Sequence, residues 1–156
     1  DITINIYEYD YDGQNIEIAK NSNLCREEEF LAPLTSFYNC EYNNKLLITS
    51  SYDTTCTLWD LEVEKTKEII IAHDKEVYDV CFMKNEFNFL SCGADSSIRH
   101  FDLRDLDNLN ILFEANECSG LSRISLCPFN DNYILTTCID RFYFYLLDLR
   151  DLSCPV

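Results

Sequence analysis

The chain has 156 residues, with 12 Lys and Arg against 28 Asp and Glu, so its formal net charge is −16. This charge excludes a nucleic-acid-binding protein, because binding to phosphate requires clustered basic side chains, and it disfavours anionic membrane surfaces for the same reason. The longest fully apolar run, Phe142 to Leu147, has 6 residues, whereas a membrane-spanning helix needs about 20. Hydrophobic residues make up 47% of the chain, which is enough for the core of one folded domain.

Short runs rich in β-branched and aromatic residues, separated by Asn and Asp turns, predict strands along the whole chain. The runs Ile2 to Tyr9 and Ile16 to Lys20 are interpreted as the last two strands of a preceding unit, and Asn21 to Glu29 as a solvated loop. The later strands fall into three sets. They are Leu34–Cys40, Lys45–Ser50, Thr55–Leu61 and Lys67–Ala72; Glu76–Met83, Phe87–Cys92, Ser97–Leu103 and Asn110–Ala115; and Leu121–Cys127, Tyr133–Cys138 and Phe142–Leu149, a set that lacks its last strand.

The three sets carry the same sequence marks: a Ser or Thr, an Asp four residues later, and a closing Asp-Leu. Asp53 and Asp95 are 42 residues apart, and Asp95 and Asp140 are 45 apart. A period of about 40–45 residues is typical of a four-stranded propeller blade. We therefore predict an all-β partial propeller over residues 1–156, with end strands of a preceding repeat and a loop at 1–33, and repeats at 34–72, 73–117 and 118–156.

Trp59-Asp60, near the end of the first repeat, and Ala72-His73, which opens the second, resemble the dipeptides that mark the WD40 repeat. The resemblance implies about three blades of a probable seven-bladed ring. Because the chain opens on Asp1 rather than Met, we expect it to be part of a longer protein. The resemblance also implies that each blade takes its outer strand from the preceding repeat. Ile16–Lys20 would then complete the first blade, Lys67–Ala72 the second and Asn110–Ala115 the third.

The WD40 resemblance further implies a structural tetrad in each repeat, in which a buried His bonded to a carboxylate and a hydroxyl fixes strand register. The second repeat matches best, although Phe101 replaces the usual Trp and cannot donate an indole N–H. The first repeat has no His in the equivalent place, and in the third Leu147 replaces Trp and Cys118 lies near the His position. The matching residues are His73, Ser91, Asp95 and Phe101; Thr49, Asp53 and Trp59; and Thr136 and Asp140.

His73, Ser91 and Asp95 are also the residue types of a hydrolytic triad. However, no GxSxG motif is present, and the same Thr and Asp recur in other repeats without a His. We therefore predict no enzyme activity, and a Ser/His hydrolase is the less favoured alternative. With His73 and His100 as the only histidines and no CxxC pair, the sequence predicts no metal site and no cofactor.

Nine cysteines, an odd number, fit neither a disulfide framework nor a zinc ribbon. Five of them lie in apolar, strand-like runs, where a free thiol behaves as a small buried hydrophobic group. These are Cys56, Cys81, Cys92, Cys127 and Cys138. Since the chain also has no Asn-x-Ser/Thr sequon, the sequence favours a reducing intracellular compartment.

Longer ordered segments, including IAHDKEVYDV (Ile71–Val80) and GADSSIRHFDLR (Gly93–Arg104), resemble the Transparent Testa Glabra proteins and their animal counterparts, the adaptor-and-cullin-associated WD-repeat proteins. This implies a scaffold that assembles protein kinases or transcription regulators in cytoplasm and nucleus. The alternative is a substrate receptor of a cullin-RING ubiquitin ligase.

The segments FDLR and LDLR resemble the WDxR motif that docks such receptors onto the damaged-DNA-binding adaptor of these ligases. Arg104 and Arg150 would be the docking residues, unless each only pairs with a neighbouring aspartate. The strongly acidic charge also favours partners with basic segments, although it is equally explained by solubility.

Overall fold

The computed structural model of the protein describes residues 3–11, 16–25, 32–152 and 155. The regular elements in these ranges are β-strands, and no helix that could cross a membrane is found among them. The strands are β1 (Thr3–Tyr11), β2 (Ile16–Cys25), β3 (Leu34–Asn39), β4 (Leu46–Ser51), β5 (Thr55–Asp60), β6 (Lys65–Ile71), β7 (Val77–Phe82), β8 (Asn88–Gly93), β9 (Ser97–Asp102), β10 (Asp105–Glu114), β11 (Leu121–Leu126), β12 (Tyr133–Cys138) and β13 (Phe144–Asp148).

Consecutive strands pair antiparallel and form a hairpin followed by three sheets. The hairpin is β1–β2, sheet 1 is β3–β6, sheet 2 is β7–β10, and sheet 3 is β11–β13. The expectation that each blade takes its outer strand from the preceding repeat is wrong, because β6 pairs with β5 and β10 with β9. The physical reason lies in the connections: Asp60 pairs with Lys65 across a tight turn, so the chain returns directly onto the strand it has just left.

Some predicted boundaries are also wrong. Residues 21–25 belong to β2 rather than to a loop, because Leu24 pairs with Ile4 and is fully buried; residues 26–29 of the predicted loop lie outside the described residues. β10 starts at Asp105, five residues before the predicted start, because an edge strand tolerates polar residues and irregular pairing. β13 starts at Phe144, since Phe142 is fully exposed in the preceding turn.

The hydrophobic core lies between successive sheets, which pack face to face with the inner strands β3, β7 and β11 side by side. One cluster joins sheets 1 and 2 and includes Ile48, Leu58, Phe82, Phe89 and Phe101. A second joins sheets 2 and 3 and includes Leu90, Ile98, Leu121, Ile134 and Leu147. A third joins the hairpin to sheet 1 through Leu24, Leu47 and Trp59. This is the arrangement of a partial β-propeller.

Polar contacts also connect the inner strands. The hydroxyl of Thr35 on β3 donates to the carbonyl of Val77 on β7 at 2.7 Å. The carboxylate of Asp79 on β7 accepts the backbone N–H of Ile124 on β11 at 3.0 Å. Because Asp79 is 7% exposed, this bond lies in a poorly solvated environment, where an unpaired carboxylate would be costly. The inner strands are thus fixed to one another by directional bonds as well as by packing.

Candidate functional site

A cluster of hydrogen-bonded polar side chains lies at one end of sheet 2. His73 lies in the segment between β6 and β7, Ser91 on β8 and Asp95 in the turn between β8 and β9. The Nδ1 atom of His73 is 2.9 Å from each carboxylate oxygen of Asp95, and its Nε2 atom is 2.7 Å from the Ser91 hydroxyl. A carboxylate can only accept hydrogen bonds, so the Nδ1 atom of His73 carries the proton. In the neutral imidazole, the Nε2 atom then accepts a hydrogen bond from the Ser91 hydroxyl. The cluster joins a loop to the turn between the two middle strands.

Sequence reasoning missed Arg99, which extends this cluster. Arg99 lies on β9 and is 7% exposed. Its Nη2 atom is 2.9 Å from Asp95 and 2.6 Å from Asp74, and its Nη1 donates to the carbonyl of Ala72 at 3.2 Å. The guanidinium therefore supplies a positive charge beside the Asp95 carboxylate, which is only 11% exposed. The only signal in the sequence is a basic residue four positions after Asp95.

Phe101 does not join these hydrogen bonds. Its ring stacks on Phe89, with centroids 4.8 Å apart and an angle of 9° between the planes. In sheet 1, at the equivalent position, the indole N–H of Trp59 donates to the Thr49 hydroxyl at 3.0 Å. An aromatic contact thus stands in sheet 2 where sheet 1 has a hydrogen bond.

The matching residues of sheets 1 and 3 make contacts of their own. Asp53 accepts the backbone N–H of Thr55 at 3.1 Å within the turn after β4. Thr136 donates to the carbonyl of Arg123 at 2.8 Å, and Asp140 accepts the backbone N–H of Ser119 at 3.2 Å. Among the contacts described, the His, Ser and Asp combination is therefore brought together in sheet 2.

Burial opposes ionisation of Asp95, but hydrogen bonds from His73 and Ser97 hold the pKa of its carboxyl well below the usual range. The unfolded chain therefore binds a proton at this carboxyl at higher pH than the folded protein does. The resulting stabilisation is present above the unfolded pKa of about 3.9 and is lost as the pH falls through the lower folded value.

We accordingly expect the free energy of unfolding to fall as the pH is lowered below about 4. Urea titrations over a series of pH values measure this dependence. In the Asp95→Asn variant, the free energy of unfolding should change less steeply with pH below about 4, because the titrating carboxyl is absent. Equal slopes for the two proteins would contradict the contribution assigned to Asp95.

The His73, Ser91 and Asp95 cluster has the bonding order of a hydrolytic triad, but its environment does not suit that chemistry. Ser91 is 0% exposed and His73 2% exposed, so the hydroxyl does not face a cleft that a substrate could enter. His100 is separate from the cluster, opposite Asn110 in the β9–β10 pair, and burial lowers the pKa of its imidazole. In the described part of the chain, no three His, Cys, Asp or Glu side chains group as metal ligands.

Arg104 and Arg150 occupy equivalent places at the ends of β9 and β13. Each Nε donates at 2.8 Å to the aspartate two residues before it, Asp102 or Asp148. Hydrogen bonds from these arginines lower the pKa of both carboxyls to about 2. The pairing that the sequence left open as an alternative to docking is thus present in both motifs.

Both arginines nevertheless remain accessible from solvent. Their side chains are 62% and 60% exposed. The guanidinium of Arg104 lies 4.9 Å from the ring centroid of Phe87, and that of Arg150 5.8 Å from that of Tyr133. In sheet 1 the equivalent residue is Glu62, which pairs with Lys45 at 2.7 Å. Sheets 2 and 3 therefore share an exposed arginine beside an aromatic ring, which sheet 1 lacks at the equivalent position.

A groove that the sequence did not reveal lies where the three inner strands begin. Tyr52 and Tyr78 meet there edge to face, with centroids 6.0 Å apart. The Arg123 side chain is 64% exposed and lies 3.7 Å from the buried Asp79 carboxylate. The inner-strand groove is lined by Leu34, Thr35, Tyr52, Tyr78, Ser122, Arg123 and Ile139. Because these residues come from all three repeats, no local motif could have predicted it.

Comparison with known proteins places these observations in a family context. A model of the WD domain, G-beta repeat, matches residues 35–60 and 64–102. The chain is 43% identical over 127 residues to a DDB1- and CUL4-associated factor 7 homolog of Dictyostelium discoideum, covering 81% of the chain and 39% of that protein.

Two yeast proteins are also similar. An uncharacterized WD repeat-containing protein of Schizosaccharomyces pombe is 52% identical over 86 residues, covering 54% of the chain and 20% of that protein. A WD repeat-containing protein of Saccharomyces cerevisiae is 36% identical over 143 residues, covering 80% of the chain and 27% of its own length. The chain thus spans less than half the length of each of these relatives. Residues 35–60 and 64–102 thus match WD40 repeats, and the sheets that contain them have the arrangement of a partial β-propeller.

Proposed function

We propose that the protein is a non-enzymatic scaffold that binds other proteins through the inner-strand groove. The observation that carries this proposal is the exposure of aromatic and basic side chains on a rigid support. Tyr52 is 48% exposed and Ile139 49% exposed, beside the exposed Arg123. Tyrosine and arginine are over-represented among residues that dominate protein–protein binding energy.

The rigidity of this support comes from the inner strands. The bonds from Thr35 to Val77 and from Ile124 to Asp79 hold β3, β7 and β11 in fixed positions beneath the groove. A preorganised surface loses little conformational entropy on binding. The net charge of −16 favours the long-range approach of partners with basic segments to the protein as a whole, such as tails of protein kinases or transcription regulators.

The test compares a groove variant, Tyr52→Ala with Arg123→Ala, against the native protein and a control variant. Phe129→Ser is a suitable control, because Phe129 is 96% exposed and does not line the groove. Tagged proteins are used for affinity purification and quantitative mass spectrometry. We expect kinases or transcription regulators to be recovered with the native protein and the control, and to be lost with the groove variant. Equal recovery with all three would overturn the role of the groove.

A second candidate function is docking onto the damaged-DNA-binding adaptor of a cullin-RING ubiquitin ligase. The name of the Dictyostelium relative, DDB1- and CUL4-associated factor 7 homolog, supports this candidate. So does the repeated presentation of Arg104 and Arg150, each placed over an aromatic ring and more than half exposed. Since each arginine also pairs with its own aspartate, docking would add contacts to a guanidinium that is already oriented.

Purified adaptor tests this candidate directly. The double variant Arg104→Ala with Arg150→Ala should lose binding in a titration, because both exposed guanidinium groups are removed. The matched control is Lys45→Ala, which removes the cation at the corresponding edge of sheet 1. Unchanged affinity of the double variant would eliminate the docking role.

A further inference from the structure

Two cysteines of sheet 3 lie where sheet 2 has His73. Val77 pairs with Gly93 in sheet 2, and Leu121 pairs with Cys138 in sheet 3, so Cys138 occupies the position of Gly93. A Cβ atom at Gly93 would lie 3.3 Å from the Cγ and Nδ1 atoms of His73. By this equivalence, the Cys138 side chain projects towards the loop that corresponds to the His73 segment.

That loop carries Cys118. Cys118 packs against the hydrophobic cluster that contains Cys138, and both cysteines are free. The loop is held against the end of β12 on either side of the contact. The Ile139 N–H donates to the carbonyl of Gly120 at 3.0 Å, and Asp140 accepts the N–H of Ser119. The loop that carries Cys118 is therefore held beside Cys138 in the folded protein.

The two thiols differ in accessibility. Cys118 is half-buried, whereas Cys138 is 7% exposed. Burial, and then contact with Cys118, raises the pKa of Cys138 to about 11, so this residue remains a thiol at neutral pH. Since the thiolate is the reactive form, an oxidant from solvent reacts first with the more exposed Cys118. No third ligand stands beside the pair in the described residues, which argues against a metal site there.

We propose that Cys118 and Cys138 form a reversible disulfide when the protein meets hydrogen peroxide. The Cys118 sulfur attacks one peroxide oxygen, the O–O bond breaks, and the products are a sulfenic acid on Cys118 and one water. The Cys138 sulfur then bonds to the Cys118 sulfur and the S–O bond breaks. The hydroxyl leaves with the Cys138 proton as a second water, so two thiols are oxidised and one peroxide is reduced.

The bond would join the β10–β11 loop covalently to the end of β12. In sheet 2 the equivalent loop is joined to the neighbouring turn by the hydrogen bonds of His73 to Asp95 and Ser91. Sheet 3 would then have a loop attachment that depends on oxidation. This modification site does not rest on the proposed scaffold function.

Peptide mass spectrometry after peroxide treatment tests the proposal. Trypsin cleavage after Arg104, Arg123 and Arg141 places Cys118 in the peptide 105–123, and both Cys127 and Cys138 in the peptide 124–141. Free thiols are alkylated before digestion. We expect a disulfide between these two peptides that disappears on reduction with dithiothreitol.

Three variants assign the bond. It should persist in Cys127→Ser, the matched control, and be absent from Cys118→Ser and Cys138→Ser. A crosslink that disappears in Cys127→Ser would overturn the proposal. So would irreversible oxidation of Cys118 to the sulfinic acid, or continued alkylation of Cys118 and Cys138 in the folded native protein after treatment.

Discussion

Replacing Trp59 with alanine is expected to reduce the free energy of unfolding by about 3–5 kcal/mol. Trp59 is 1% exposed and packs with Leu24 of the hairpin and Leu47 of sheet 1. Its removal would leave a cavity between the hairpin and the sheet, and the Thr49 hydroxyl would lose its indole donor. Urea unfolding followed by circular dichroism measures the change.

The variant Trp59→Phe separates packing from hydrogen bonding at this position. This variant keeps an aromatic ring but removes the indole N–H. Part of its loss in unfolding free energy therefore reflects the missing hydrogen bond, for which a net value of about 1 kcal/mol is typical. Sheet 2 already has phenylalanine at the equivalent position, Phe101, which is 2% exposed. If Trp59→Ala were no less stable than Trp59→Phe, the packing of the hairpin on sheet 1 would be contradicted.

The variant His73→Ala is expected to reduce the free energy of unfolding by about 2–4 kcal/mol, because Ser91 and Asp95 both lose their hydrogen bonds to the imidazole. Ser91, which is fully buried, would lose its contact with Nε2, and Asp95 would keep Arg99 but lose the imidazole. Differential scanning calorimetry measures the effect as a lower melting temperature.

His100→Ala provides the control for this substitution, because His100 is the other histidine of the chain and lies outside the cluster. Its effect should be much smaller. A catalytic role for the cluster would give a different pattern: His73→Ala would melt like the native protein and lose turnover of an ester substrate. That pattern would contradict the structural role.

Much of the strand order could be predicted from the sequence, because the recurring Ser or Thr, Asp and Asp-Leu marks fall at the same places in each sheet. The C-terminal end of β2 could not be predicted in this way. Its buried residue, Leu24, is a single apolar position among polar neighbours, and its burial depends on contact with Trp59 and Leu47 on another sheet. The prediction of buried cysteines was right for Cys56, Cys81, Cys92 and Cys138, but Cys127 is only partly buried.

The candidate sites show the same limit. The resemblance to the WD40 repeat predicted that His73, Ser91 and Asp95 form a connected group, whereas the contact of Asp95 with Arg99 depends on how a turn folds back on its strand. The inner-strand groove depends on three repeats lying side by side, as does the bond from Ile124 to Asp79. Contacts between repeats do not produce a recurring residue spacing within one repeat. For this reason they could not be predicted from the sequence.

The central claim is that successive sheets are fixed side by side at their inner strands and so form a rigid surface for partner proteins. Amide hydrogen exchange of Ile124, followed by NMR, tests this claim most directly, because its N–H donates across the sheet boundary to Asp79. We expect slow exchange in the native protein and faster exchange in Asp79→Ala, with little change at the amide of Ile98 within sheet 2. Rapid exchange at Ile124 in the native protein would contradict the account.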